Sequence, residues 1–253
     1  MRTGTEHENG VVAILDALGA ASFTDDEIRR FINSRAVVLN LLTDKAVDVF
    51  GEISDKMITT FTFNDTILIC LRTGESKPNL RRISGFFSVM RKFVVDSLGH
   101  GILFRGSIAI GKFHVDDDTN TVMGEAVTDA AAWYDKADWI GVHATPSASL
   151  FIQWLLEREE SAKEHVMLDY DVPLKGGGTV RTKVVNWPKV FFVPGITPCE
   201  AGTKPKEKLL HFLSQQKVPL QTEGKFFNAL KFFDHAEKGI KKKGHSVRRA
   251  KAS

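Results

Sequence analysis

Cysteine is scarce in this chain: Cys70 and Cys199 are the only two among 253 residues. Cys70 falls inside a strand-like apolar run, so neither a disulfide framework nor a cysteine-based zinc site is supported. Long hydrophobic runs are missing too. None approaches the ~20 residues that a membrane-crossing helix needs, and the opening stretch MRTGTEHENG is polar and acidic where an export signal would be basic and then apolar. No membrane partner is expected, and a cytoplasmic location is the default. No internal repeat is found, which sets aside solenoid architectures. What is present is ordinary globular material: 43% hydrophobic and 26% charged residues are enough to bury a proper core in one large domain, or in a core domain with an extension.

The net charge of +3 hides an uneven distribution, because the closing stretch EKGIKKKGHSVRRAKAS is densely basic and has no apolar pattern. It reads as a solvated, flexible tail over residues 236–253, and a nucleic-acid-binding arm is the less favoured alternative. Nothing in it selects a base sequence.

Val11 to Leu15 form a continuous apolar run consistent with a buried central strand, and the run ends at Asp16. Small residues follow, and then Thr24-Asp25-Asp26-Glu27 opens a helix in capping-box fashion. Apolar spacing carries that helix to about Leu42. Two β-rich runs, MITTFTF and TILICL, are joined at Asn64-Asp65 as a hairpin. The stripe from Leu80 to Leu98 predicts an amphipathic helix used for core packing. Residues 101–111 alternate as a strand, a turn follows near Asp116, and an alanine-rich helix begins near Val127. The element order predicts an α+β fold with helices covering a mainly antiparallel sheet. A core domain over residues 9–165 would carry a C-terminal β/α extension over 166–235, with KGGGT as a hairpin turn.

An Asp at a hairpin tip is ordinary turn chemistry. A second carboxylate, Asp16, ends the apolar strand, and if the two strands are neighbours the pair is costly unless a cation lies between them. Mg²⁺ or Mn²⁺ suits such hard oxygen ligands, and phosphates can complete the shell. The segment Leu18-Gly19-Ala20-Ala21-Ser22 adds small residues and free N–H groups suited to phosphate. Two carboxylates and an amide-lined turn together describe a nucleoside triphosphate site.

At these residues the chain resembles the class III nucleotidyl cyclases, whose catalytic domain has a βααββαβ core. The family's first-strand Asp motif is matched by Ile14-Leu15-Asp16-Ala17-Leu18-Gly19, and its hairpin Gly-Asp by Asn64-Asp65. Its Arg-x-Gly strand is echoed by Arg105-Gly106-Ser107-Ile108-Ala109-Ile110-Gly111, and its Gly-x-x-Val helix start by Gly124-Glu125-Ala126-Val127-Thr128. The stretch DAAAWYDKADWIGVHATPSA, with VVNWPKVF, is similar to the divergent bacterial cyclases of the Pycsar anti-phage systems, which make cUMP or cCMP.

The resemblance implies two metal ions, Mn²⁺ or Mg²⁺, on Asp16, Asp65 and the Ala17 carbonyl, with phosphate held by Leu18 to Ser22 and Arg105. It implies cyclisation of UTP, or else CTP, in a homodimer with composite active sites, and a cyclic product read by a separate effector protein. Two departures stand out. The family's helix asparagine and transition-state arginine are Thr128 and Ala132 here, and Lys136 is the candidate replacement cation. The purine-selecting positions are Phe61 and Thr121, so Phe50, Phe61, Thr121 and Thr128 are the expected base and ribose contacts. Trp133, Trp139 and His143 read as structural. A cyclase-like domain that binds nucleotide without turnover, and a nucleic-acid binder acting through the tail, are the competing readings.

Overall fold

The structure is a computed structural model in which residues 7–51, 57–73, 80–116, 119–158, 166–193, 202–218 and 222–250 are described. Cys199 lies outside the described residues.

Strand β1, His7–Ala17, is the apolar run expected to be central. It pairs antiparallel with β3, Thr66–Arg72, on one side and with β4, Phe104–Asp116, on the other. Strand β2, Ile58–Phe63, completes the hairpin with β3, and β5, Thr121–Met123, pairs with the far end of β4. Strands β6, Gly141–Ala144, β7, Met167–Pro173, and β8, Thr179–Val185, carry the same sheet onward. Among the described residues the order is β2-β3-β1-β4-β6-β8-β7, antiparallel throughout except for β4 with β6. The extension is thus part of the sheet itself, joined to it at His143 opposite Val184.

Alternation along β1 separates two layers. Val11, Ala13, Leu15 and Ala17 face the main core, while Val12 and Ile14 face a smaller cluster. The main core is capped by α1, Asp25–Phe50, α2, Leu80–Gly99, and α4, Pro146–Arg158. On the opposite face the smaller cluster packs under α3, Glu125–Trp133, through Ala126 and Ala130.

Helix α1 begins at Thr24, whose side chain accepts from the Glu27 N–H while Glu27 reaches back to the Thr24 N–H. It runs past Leu42, where sequence spacing ends it, to Phe50. Val38, Leu42 and Ala46 keep one face buried at i, i+4 spacing, and Gly51 at φ 75° stops it.

A short 3₁₀ helix at Trp187–Phe192 brings α5, Pro205–Ser214, and α6, Glu223–Ala250, onto the core. Phe232 of α6 packs among Trp139, Tyr170 and Trp187 at centroid distances of 5.1, 4.9 and 5.9 Å. Ala236, one turn further along α6, is buried as well. The flexible tail expected from residue 236 is therefore replaced by a continuing helix to Ala250, because its first turn is anchored by aromatic packing that lies far away in the chain.

Candidate active site

Period-2 alternation puts Asp16 on the same face as Val12 and Ile14, at the point where β1 leaves the sheet. Its register partners are Thr66 on β3 and Arg105 on β4. The hairpin tip is drawn to the same place, because the Ala17 N–H donates to the Asp65 carbonyl at 3.1 Å. Asn64 takes the left-handed turn position at φ 52°, and the Arg35 guanidinium of α1 donates to its carbonyl at 2.5 Å. The Asn64-Asp65 tip is thus a tight turn that also presents a carboxylate beside Asp16.

Burial raises the Asp16 carboxyl above its ordinary value, Arg105 pulls it back down, and the Asp65 charge raises it again. Arg105 donates to a single oxygen, Asp16 Oδ2, from Nε at 2.9 Å and from Nη2 at 2.7 Å. Expected as a phosphate ligand, Arg105 is instead tied to Asp16, because the β1–β4 register sets them directly opposite and both are mostly withdrawn from water. Gly106 permits this closeness: a Cβ there would lie 2.3 Å from the Ile14 carbonyl oxygen.

The carboxylates of Asp16 and Asp65 suit a hard divalent ion by donor chemistry, with Asp16 Oδ1 left over from the Arg105 contact. Among the described residues no third carboxylate, imidazole or thiol joins them. Such an ion would take its remaining ligands from main-chain carbonyls, water and substrate phosphates, as Mg²⁺ habitually does.

In the loop after β1, the Leu18 N–H donates to the Leu103 carbonyl at 2.8 Å, and the Ser22 N–H donates to the Gly19 carbonyl at 3.0 Å. Two of the five expected phosphate donors are thereby committed to main chain. The amides of Gly19, Ala20 and Ala21, at the start of a 3₁₀ turn over Ala20–Ser22, have no main-chain partner among the described residues.

Two residues not singled out from sequence join the site. The Tyr134 hydroxyl has its proton affinity raised by burial and by the charges of Asp16 and Asp135. Lys175, in the KGGGT turn between β7 and β8, lies with its Nζ 3.9 Å from the Asp135 carboxylate and is lowered by burial and by the Arg105 charge, with Asp135 and then Asp16 opposing. The turn is clipped in place by the Lys175 N–H donating to the Lys136 carbonyl at 2.8 Å. A turn motif in the extension gives no local sign of this, since only the sheet order brings it back to β1.

The remaining expectations divide. Phe61 sits on the carboxylate face, across from Leu68 and packed on the cluster that includes Tyr134. Phe50 does not: it ends α1 and packs toward Gly85 in the helical layer, where a Cβ would lie 2.9 Å from its ring. Lys136 lies beyond the end of α3, exposed and 3.5 Å from Asp135, so it is not one turn along the helix as its spacing predicts. Thr121 pairs with Asp116, at the opposite end of β4 from Arg105 and about 35 Å away at strand rise. Thr128 and Ala132 are exposed on α3. Within one chain, therefore, neither Phe50, Thr121 nor Lys136 reaches the carboxylates.

His143 is fully buried between Trp133 and Trp139, at centroid distances of 6.4 and 6.5 Å. Burial pushes it down to about 4, with only the Gly106 backbone opposing. Neither ring nitrogen makes a hydrogen bond of ordinary geometry.

No protein-family model matches the chain, and no curated protein matches it. Several solved structures are similar in shape. The adenylyl cyclase CyaB from P. aeruginosa is 15% identical, with a TM-score of 0.44 over 72% of this chain and 95% of that one. The catalytic core of a rhodopsin-guanylyl cyclase with converted specificity, in complex with ATPalphaS, is 14% identical, with a TM-score of 0.45 over 72% and 98%. The guanylyl cyclase Cya2 is 18% identical, with a TM-score of 0.40 over 72% and 94%.

Proposed function

We propose that this chain is a metal-dependent nucleotidyl cyclase that converts a pyrimidine nucleoside triphosphate, UTP in preference to CTP, to its 3′,5′-cyclic monophosphate and pyrophosphate. The observation that carries the reading is the register that sets Asp16 beside the hairpin carboxylate of Asp65 and opposite Arg105. Two carboxylates whose charges oppose each other at neighbouring strand ends have a use when a divalent cation and phosphates lie between them.

Asp16 and Asp65, with the Ala17 carbonyl, would hold Mn²⁺ or Mg²⁺. That ion supplies acidity to the ribose 3′-hydroxyl and charge neutralisation to the triphosphate. Arg105 holds the Asp16 carboxylate in one orientation and leaves its second oxygen open. The amides of Gly19, Ala20 and Ala21 receive phosphate oxygens. Lys175 supplies the cation that the Ala132 position lacks. The ribose 3′-hydroxyl gives its proton to water as its oxygen attacks the α-phosphorus, the bond from the α-phosphorus to the bridging oxygen breaks, and pyrophosphate leaves with that oxygen.

Support for a pyrimidine comes from Phe61, an apolar side chain on the carboxylate face where a purine-selecting lysine would stand in the family that the sequence resembles. A homodimer is supported by the lightly covered face itself. Phe63 is 83% exposed at its margin, and the outer side of α3 carries Thr128 and Ala132, both exposed. A second copy placed there would bring its own Thr121 and Thr128 toward the carboxylates. By the same resemblance, the product serves as a second messenger in anti-phage defence, read by a separate effector.

One observation favours a different reading. Asp16 Oδ2 is occupied by Arg105, as it would be in a domain that binds nucleotide without turning it over. Incubation of the purified protein with ATP, GTP, CTP and UTP in Mn²⁺, with products resolved by chromatography and mass, separates the two. A cyclic pyrimidine monophosphate is the expected result. No cyclic product from any nucleotide favours the binding module, and a cyclic purine overturns the base assignment.

A further inference from the structure

Between the β1–α1 loop and the C-terminal end of α5 lies an open cleft of about 610 Å³, a volume in the range of nucleotide-sized ligands. Its floor is main chain, where the Leu18 N–H meets the Leu103 carbonyl. At the turn between α2 and β4, Gly101 has φ 79°, and a Cβ there would sit 3.8 Å from the Gln216 carboxamide. The extension therefore comes close to the core here without filling the gap.

The walls differ in chemistry. Phe23 and Phe31 form an aromatic corner, with centroids 5.7 Å apart and rings inclined at 53°. Arg30 and Lys217 provide cationic groups and Gln216 an amide, while the His100 Nδ1–H donates to the Asp96 carbonyl at 2.8 Å. The one carboxylate on the lining, Glu27, is already engaged. Its Oε2 accepts from the Thr24 N–H at 2.8 Å and from the Thr24 hydroxyl at 3.0 Å, and Lys217 stands 4.0 Å from its other oxygen. The Arg35 guanidinium lies over Phe31 at 5.3 Å from the ring centroid, so the surface that remains is Phe23 with the rest of Phe31, beside net positive charge.

This cleft is not the carboxylate site. Asp16, Asp65 and Arg105 are absent from its lining. Leu18 packs toward the main core, whereas Asp16 alternates to the α3 face. The two sites share only the loop that contains Gly19 and Ser22.

We propose that the cleft is a second ligand site that takes a nucleoside monophosphate. Its planar base rests on the corner of Phe23 and Phe31, and its phosphate is met by Arg30 and Lys217. Because Gly19 belongs both to this lining and to the loop whose amides have no main-chain partner among the described residues, occupancy holds that loop in one position. That coupling rests on the proposed cyclase reading, whereas binding does not.

The test is isothermal titration of the full chain with UMP and with AMP in EDTA, which removes divalent ions from the carboxylate site. One binding event per chain is expected, unchanged within about twofold in Asp65→Ala and weakened at least about tenfold in Arg30→Glu with Lys217→Glu, as loss of charge-assisted phosphate contacts requires. If charge reversal impairs folding, judged by thermal melting, Arg30→Gln with Lys217→Gln removes the charges more gently. Absence of binding overturns the proposal, as does binding that survives loss of both cations. Ribose 5-phosphate binding as tightly as UMP overturns the aromatic wall. The cyclase assay is read separately, so a silent enzyme with an occupied cleft and an active enzyme with an empty one are distinguishable.

Discussion

Asp65 is held by its backbone, through its carbonyl and the turn at Asn64, while its carboxylate has no hydrogen bond or ion pair among the described residues. Asp65→Ala is therefore expected to reduce turnover to below about one per cent of the parent rate, with a melting temperature unchanged or slightly higher, since a like charge beside Asp16 is removed. Product assays with a thermal melt on the same sample check both halves. Gly106 gives the opposite pattern. A methyl 2.3 Å from the Ile14 carbonyl oxygen forces β1 and β4 apart in the middle of the sheet, at a cost of about 1–3 kcal/mol. Gly106→Ala is expected to lower the melting temperature by about 3–10 °C, and a melt at the parent value would show that β1 and β4 do not approach so closely.

At the scale of elements, the proposed mechanism draws its cation from the β7–β8 turn and not from α3. Helical counting from Thr128 places Lys136 on α3, but the helix ends at Trp133 and the lysine turns to solvent. The turn of the extension brings Lys175 into the field of Asp16 and Arg105 instead. Lys175→Ala is expected to lower kcat about 10- to 100-fold, as loss of a cation facing developing phosphate charge does, while Lys136→Ala changes it less than about twofold. Equal losses in the two variants would return the cationic role to the α3 side.

At the scale of the molecule, a neutral imidazole is enclosed in the core. His143 is depressed to about 4 by burial, whereas the unfolded chain titrates near 6.5, so the unfolded state takes up the proton first as pH falls. Stability is full above 6.5 and is lost progressively between 6.5 and 4, by at most about 3 kcal/mol from this group. Urea unfolding at pH 7.5 and pH 4.5, compared with His143→Leu, checks it: the variant should lose less stability across the interval. Assembly is the second whole-molecule property. If α3 and the margins of its face meet a second copy, specific activity should fall as the protein is diluted below the dimer dissociation constant, and concentration-independent activity with a monomeric mass would remove the composite site.

Sequence alone was enough for the central strand ending at Asp16, the hairpin at Asn64-Asp65, the α2 stripe and the α+β class, because each depends on local periodicity, capping or turn chemistry. Those signals act over a few residues and survive in any context. It was not enough for Arg105, whose attachment to Asp16 follows from a register between residues far apart in the chain, nor for Lys175, delivered by the strand order. Phe50 was misplaced because helix ends are set by what the last turn packs against, here α2 near Gly85. Residues beyond 236 were misread because a polar composition says nothing of an anchor formed by Trp139, Tyr170 and Phe232. Local chemistry was legible in the chain, whereas the pairing of distant charges was decided only when strand order and register closed the sheet.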